Sequence, residues 1–110
     1  MRYWTVEEAR GYLPRVRHLV EVVRLAATLA TASRTNGHGE LADDDPRAAL
    51  AELERGDIVV RDPRSGLVDF HALGRDGVVY HLCYRLDEPD LSWWHLPEEG
   101  FGGRKRLPRE

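Results

Sequence analysis

At Asp57 the hydrophobic period of this chain changes from that of a helix to that of a strand, and no other feature limits the fold as tightly. Before it, Val16, Leu19, Val20, Val23, Ala26 and Ala27 recur at spacings of three and four, which gathers them on one helical face. After it, Ile58 to Arg61, Leu67 to His71, Val78 to Leu86 and Leu91 to His95 read as four strands. The turns between them, Asp62 to Gly66, Gly74 to Gly77 and Asp87 to Asp90, are short, and short links favour antiparallel neighbours. Helices first and strands afterwards predict an α+β domain: an N-terminal helical hairpin packed on a small antiparallel β-meander of three to four strands. The 110 residues fit one domain, 1–110, with helices at about 5–33 and 46–55, a sheet at about 57–96 and a basic C-terminal tail at 102–110.

The helix ends carry their own signals. Thr5 and Glu8 have the spacing of a capping box, in which the hydroxyl and the carboxylate each satisfy an exposed N–H. Pro14 lacks a donor, so it either kinks the first helix or closes a short segment at Leu13. Asn36 to Gly39, with His38 between two glycines, reads as a turn. The acidic run Asp43, Asp44, Asp45 reads as a helix start, with Asp45 as N-cap, Pro46 in the first turn and Gly56 past the end.

Charge and cysteine content narrow the functions. A net charge of -3 argues against a nucleic-acid partner, which needs cations gathered on one face. Arg104, Lys105, Arg106 and Arg109 cluster in the tail and read as solvated. The single cysteine, Cys83, rules out an internal disulfide and a multi-thiolate zinc site within one chain. No stretch has the length or apolarity of a membrane span or a signal peptide, so no membrane contact and a cytoplasmic location are expected.

Chemistry concentrates on one side of the sheet. In the third strand Val78, Tyr80, Leu82, Tyr84 and Leu86 share the parity expected of the core, which sends His81 and Cys83 outward. Val68 and Phe70 do the same in the second strand, turning Asp69 and His71 to that outer side. With Trp94 toward the core, Trp93 and His95 join them. Imidazoles, a carboxylate and a thiol on adjacent strands suit a mononuclear zinc, iron or copper site. The same groups could activate Cys83 as a nucleophile, with His81 or His95 as base and Asp69 as its orienter. The plainest reading makes this face the solvent side of the sheet or half of a homodimer interface. Two adjacent tryptophans cannot both enter one small core, so one is expected to face a partner or ligand. Gly100 to Arg104 could fold over that groove and bring the Arg104 guanidinium to an anion.

Several short blocks stand in a fixed order: Gly66-Leu67-Val68-Asp69-Phe70, Leu82-Cys83-Tyr84-Arg85-Leu86 with Glu88, Trp94-His95, and Gly100-Phe101 with Arg104. In that order they resemble the bacterial "domain of unknown function 2203" proteins, over nearly the whole chain. The resemblance implies an intracellular bacterial protein with no assigned activity, and its pattern falls on Asp69, Phe70, Cys83, Arg85, Glu88, Trp94, His95, Gly100, Phe101 and Arg104. His71 and His81 depart from it, since the pattern has proline and an aliphatic residue there. The resemblance therefore implies Asp69, Cys83, Glu88 and His95 as metal ligands, with His71 and His81 as additional candidates, and Trp94, Phe101 and Arg104 around a small-molecule ligand. The helical hairpin is shorter than is usual in such proteins. The expected function is a metal- or small-ligand-binding module, enzymatic only if the metal keeps an open position; the alternative is a homodimeric interaction module without catalysis.

Overall fold

The structure, a computed structural model, describes residues 1–32 and 45–109. The turn at Asn36 to Gly39, His38, and the acidic Asp43 and Asp44 lie outside the described residues. Two helices, α1 (Val6–Ala32) and α2 (Pro46–Arg55), precede five strands, β1 (Ile58–Asp62), β2 (Leu67–Leu73), β3 (Val79–Arg85), β4 (Trp93–His95) and β5 (Lys105–Arg106). The strands form one sheet in the order β1-β2-β3-β4-β5, every neighbouring pair antiparallel. The meander is therefore one strand longer than the periodicity predicts. Its extra strand comes from the segment read as a solvated tail.

Both halves of the capping box form: the Glu8 amide donates to Thr5 Oγ1 at 3.0 Å, and the Thr5 amide donates to Glu8 Oε1 at 3.1 Å. The Asp45 carboxylate caps α2 by accepting from the Arg47 amide at 2.9 Å. α1 runs through Pro14 without a break. Pro14 and Arg10, whose carbonyl loses its helical donor to the proline, both lie on the exposed side, where water can serve that carbonyl. Gly56 ends α2 at φ -93, an ordinary value, and the left-handed residue is Asp57 at φ 55. What Gly56 supplies is room, because a Cβ there would stand 3.2 Å from the Trp4 ring. The Trp4 indole N–H donates to the Gly56 carbonyl at 2.8 Å, fastening the N-terminal segment to the end of α2.

Ala9, Leu13, Val16, Leu19, Val20 and Val23 of α1 and Ala49 and Leu53 of α2 are buried against Val68, Phe70, Ala72, Tyr80, Leu82 and Tyr84. The predicted core parity of β2 and β3 is the observed one. Val78 is the exception, 42% exposed ahead of β3 at the hairpin end. β4 begins at Trp93 instead of Leu91, and Leu91 is fully buried in the core. Among the described residues, no helix is long and apolar enough to cross a membrane.

Candidate metal centre

The outer face of the sheet is buried. Asp69, Cys83, His81 and His95 are 1%, 1%, 4% and 3% exposed, although nothing in their alternation marks them as interior. This overturns the reading of that face as solvent surface. Residues 96–106 cover part of it: a single 3-10 turn at Phe101–Gly103 leads into β5, and Arg104 reaches back across the sheet. Its guanidinium lies over the rings of Phe101 at 4.2 Å and Trp93 at 4.7 Å, donates to Cys83 Sγ at 3.7 Å and pairs with the Glu88 carboxylate. The other tail cations are also engaged. Lys105 pairs with Glu99 at 2.8 Å, Arg109 pairs with Asp76 at 3.0 Å, and Arg106 lies over Trp93 at 5.1 Å. An aromatic face attracts a cation, so the tail packs by charge as well as by the apolar contacts of Leu96 and Leu107 with the core.

Register puts the polar side chains in two adjacent rows. Asp69 pairs with Cys83 and Cys83 with Trp93; His71 pairs with His81 and His81 with His95. The three imidazoles cross the sheet edge to face, with ring centroids 4.8 Å apart for His71 and His81 and 5.3 Å apart for His81 and His95. Asp69 sits one pleat away and faces two of them. Its Oδ1 is 3.1 Å from His95 Nε2, and its Oδ2 is 3.5 Å from His81 Nδ1 and 2.9 Å from Arg61 Nε.

The protons on these rings follow from their partners. His95 Nδ1 lies 2.8 Å from the Leu96 carbonyl, which can only accept, so Nδ1 carries a hydrogen. Its Nε2 then points a lone pair at the Asp69 carboxylate unless a proton or a metal ion stands between them. Protonating Asp69 is not the answer. Burial alone pushes its carboxyl up, but His81, Arg61 and His95 facing it outweigh burial and hold it down at about 2. His81 Nδ1 is buried and, among the described residues, makes no hydrogen bond. His71 Nδ1 is bound to the Asp57 carbonyl at 2.8 Å.

Asp69, His81 and His95 can each offer one ligand atom within 4.8 Å of the others. Of the four ligands that the resemblance implies, Asp69 and His95 belong to this group and His81, an additional candidate, joins them. Cys83 lies beside Asp69 but outside it. Burial, and then the Asp69 charge, push its thiol up to about 12 against the opposing pull of Arg104, so at neutral pH it is no nucleophile. Glu88 is turned elsewhere, held by Arg104 and by the Arg85 amide at 2.8 Å. The ligand trio is divided as well. Trp94 pairs with Leu82 and so faces the core side, against Tyr80 at 5.8 Å between ring centroids, whereas Phe101 and Arg104 stand on the outer side. It is Trp93 that stacks on Arg104.

A cavity of about 230 Å³ opens beside the group, and Arg61, Asp69, Cys83, His95, Glu99 and Phe101 are among its lining residues. Arg61 was not a predicted site residue. Its parity in β1 matches Val59, the register partner of Asp69, and that is the signal that could have found it. The profile of a family described as an uncharacterized conserved protein, DUF2203, matches residues 2–107. No curated protein and no solved structure matches the chain.

Proposed function

The chain belongs to the uncharacterized DUF2203 family, and from that premise we propose that it is a metal-binding protein whose ion is held by Asp69, His81 and His95. The observation that carries this reading is His95: with Nδ1 committed to a carbonyl, Nε2 faces a carboxylate that is charged at neutral pH, an arrangement that calls for an electrophile between them. A backbone carbonyl on the far ring nitrogen is also the usual way a protein orients a metal-ligating imidazole. Arg61 would fix the carboxylate in the same manner from its other side.

The spacings support it. Ligand atoms about 2.0–2.2 Å from a tetrahedral ion stand about 3.3 Å from one another. Asp69 Oδ1 stands 3.1 Å from His95 Nε2 and its Oδ2 stands 3.5 Å from His81 Nδ1, so each ring has one carboxylate oxygen at about that spacing. One ligand atom from each of Asp69, His81 and His95 lies within 4.8 Å of the other two, so a small approach closes the set, and among the described residues His81 Nδ1 has no hydrogen bond to give up. Two imidazoles and one carboxylate suit zinc or ferrous iron and leave coordination positions for water or substrate. Catalysis at the metal is then available, through polarisation of a bound group or activation of a bound water.

Elemental analysis of untagged protein tests the proposal. One zinc or iron per chain is expected, lost in His95→Ala and in His81→Ala and kept in His71→Ala. Wild-type protein that neither carries nor takes up a transition metal would leave the His95 and Asp69 pair as a buried imidazolium-carboxylate ion pair.

A further inference from the structure

We infer that the cavity beside Asp69 and His95 receives a small organic monocarboxylate, recognised by Arg61 and seated on an open position of the metal; this inference rests on the metal reading above. Charge gives the first argument. A divalent ion held by the buried Asp69, His81 and His95, with the half-exposed Arg61 guanidinium beside it, brings positive charges that one carboxylate does not offset, and buried charge is tolerated only when it is paired. No other lining group offsets them. Glu99 also lines the cavity, but both of its oxygens are held by Lys105 Nζ, at 2.8 and 3.0 Å. Cys83 Sγ is already engaged, accepting from the Arg104 guanidinium at 3.7 Å.

Arg61 gives the second. Among the described residues its hydrogen-bond partner is Asp69, through Nε alone, and its side chain is 45% exposed. The two terminal nitrogens of the guanidinium are the pair that grips a carboxylate side on. Shape and lining give the third. A cavity of about 230 Å³ is on the scale of a site for a small molecule. Leu67, Pro97 and Phe101 offer apolar surface for the organic remainder, and the 41% exposed Phe101 stands as its rim. That apolar surface would leave an inorganic phosphate, polar on every side, with oxygens facing no partner, so a molecule with a carboxylate at one end only is the class that fits.

Cobalt(II) separates the two claims, because its visible spectrum reports both metal uptake and a change of ligand. The protein is loaded with cobalt(II) and titrated with acetate, benzoate and inorganic phosphate. The expected result is one cobalt per chain and a saturable change in the visible bands with acetate and benzoate, with phosphate much weaker. Arg61→Gln, loaded at cobalt concentrations high enough to offset its looser hold on Asp69, should bind both carboxylates at least about tenfold more weakly, as loss of a charge-assisted pair requires. Phe101→Ala, at an exposed position, should weaken benzoate and leave acetate nearly unchanged. Cobalt bound with a spectrum that no carboxylate moves, or moves equally in wild type and Arg61→Gln, overturns this inference while the metal reading stands. Failure to take up cobalt overturns both.

Discussion

Two acceptors cannot share a neutral imidazole, and His95 stands between the Leu96 carbonyl and the Asp69 carboxylate. The chemistry of the site turns on that single ring. Its neighbour Cys83 shows the same environment acting on a different group: enclosed and facing a carboxylate, its thiol is pushed up to about 12. Thiolate is the species that reacts, so at pH 8 the metal-free native protein should be labelled by a disulfide reagent on the order of a thousandfold more slowly than an ordinary free thiol. Absorbance at the released thiol's wavelength measures it, and urea should restore the normal rate. Fast native labelling would mean that the outer face is open. At this scale the sequence was readable in part. Alternation placed Asp69, His81, Cys83 and His95 on one face, and register in the structure agrees. That Glu88 turns away was not readable, because its partner Arg104 lies sixteen residues further along and the pairing depends on how the chain folds back.

At the scale of elements, the two helices are tied by a carboxylate as well as by their apolar stripe. Glu52 of α2 accepts from Arg15 Nε and Nη2 of α1 at 2.9 and 2.7 Å and from the Tyr12 hydroxyl at 2.8 Å. The Arg15 and Tyr12 donors hold its carboxyl down to about 2. A carboxylate held below its ordinary value stabilises the fold fully above about pH 4.5, and that stabilisation is lost as the pH falls toward 2. With its side chain 24% exposed, the contribution is about 1 kcal/mol. Urea unfolding should therefore find Glu52→Gln about 1 kcal/mol less stable than wild type at pH 7 and equal to it near pH 2. A difference that persists at pH 2 would assign the loss to shape instead of charge. Helix caps and strand parity were legible because they are local: Thr5 with Glu8, and Asp45 with Pro46, need nothing distant to form. Pro14 was ambiguous for the opposite reason. Its cost depends on which side of α1 meets the sheet, and tertiary packing decides that.

At the scale of the molecule, the sheet is covered on both faces by different means. Toward the helices the cover is apolar and periodic, so the sequence displays it. Toward Asp69, Cys83 and His95 it is residues 96–106, rich in glycine and charge, which carry no hydrophobic period and resemble a tail. Their packing rests on Arg104, stacked between Trp93 and Phe101 and paired with Glu88, the two charged side chains being only 9% and 13% exposed. Removing one member of a buried pair leaves the other charge without compensation and costs about 3 kcal/mol, whereas removing both restores much of the loss. Arg104→Ala should therefore lower stability to urea by about 3 kcal/mol, and adding Glu88→Gln should recover a substantial part of it. The same substitution frees the cover from the sheet, so Cys83 labelling should accelerate in Arg104→Ala even under conditions where far-ultraviolet circular dichroism shows the fold intact. Glu88→Gln alone keeps the guanidinium stacked on both rings and should accelerate labelling much less. If the two single variants open the thiol equally, the ion pair holds the cover; if only Arg104→Ala does, the aromatic stacking holds it, and the geometry around Trp93 and Phe101 favours the second result.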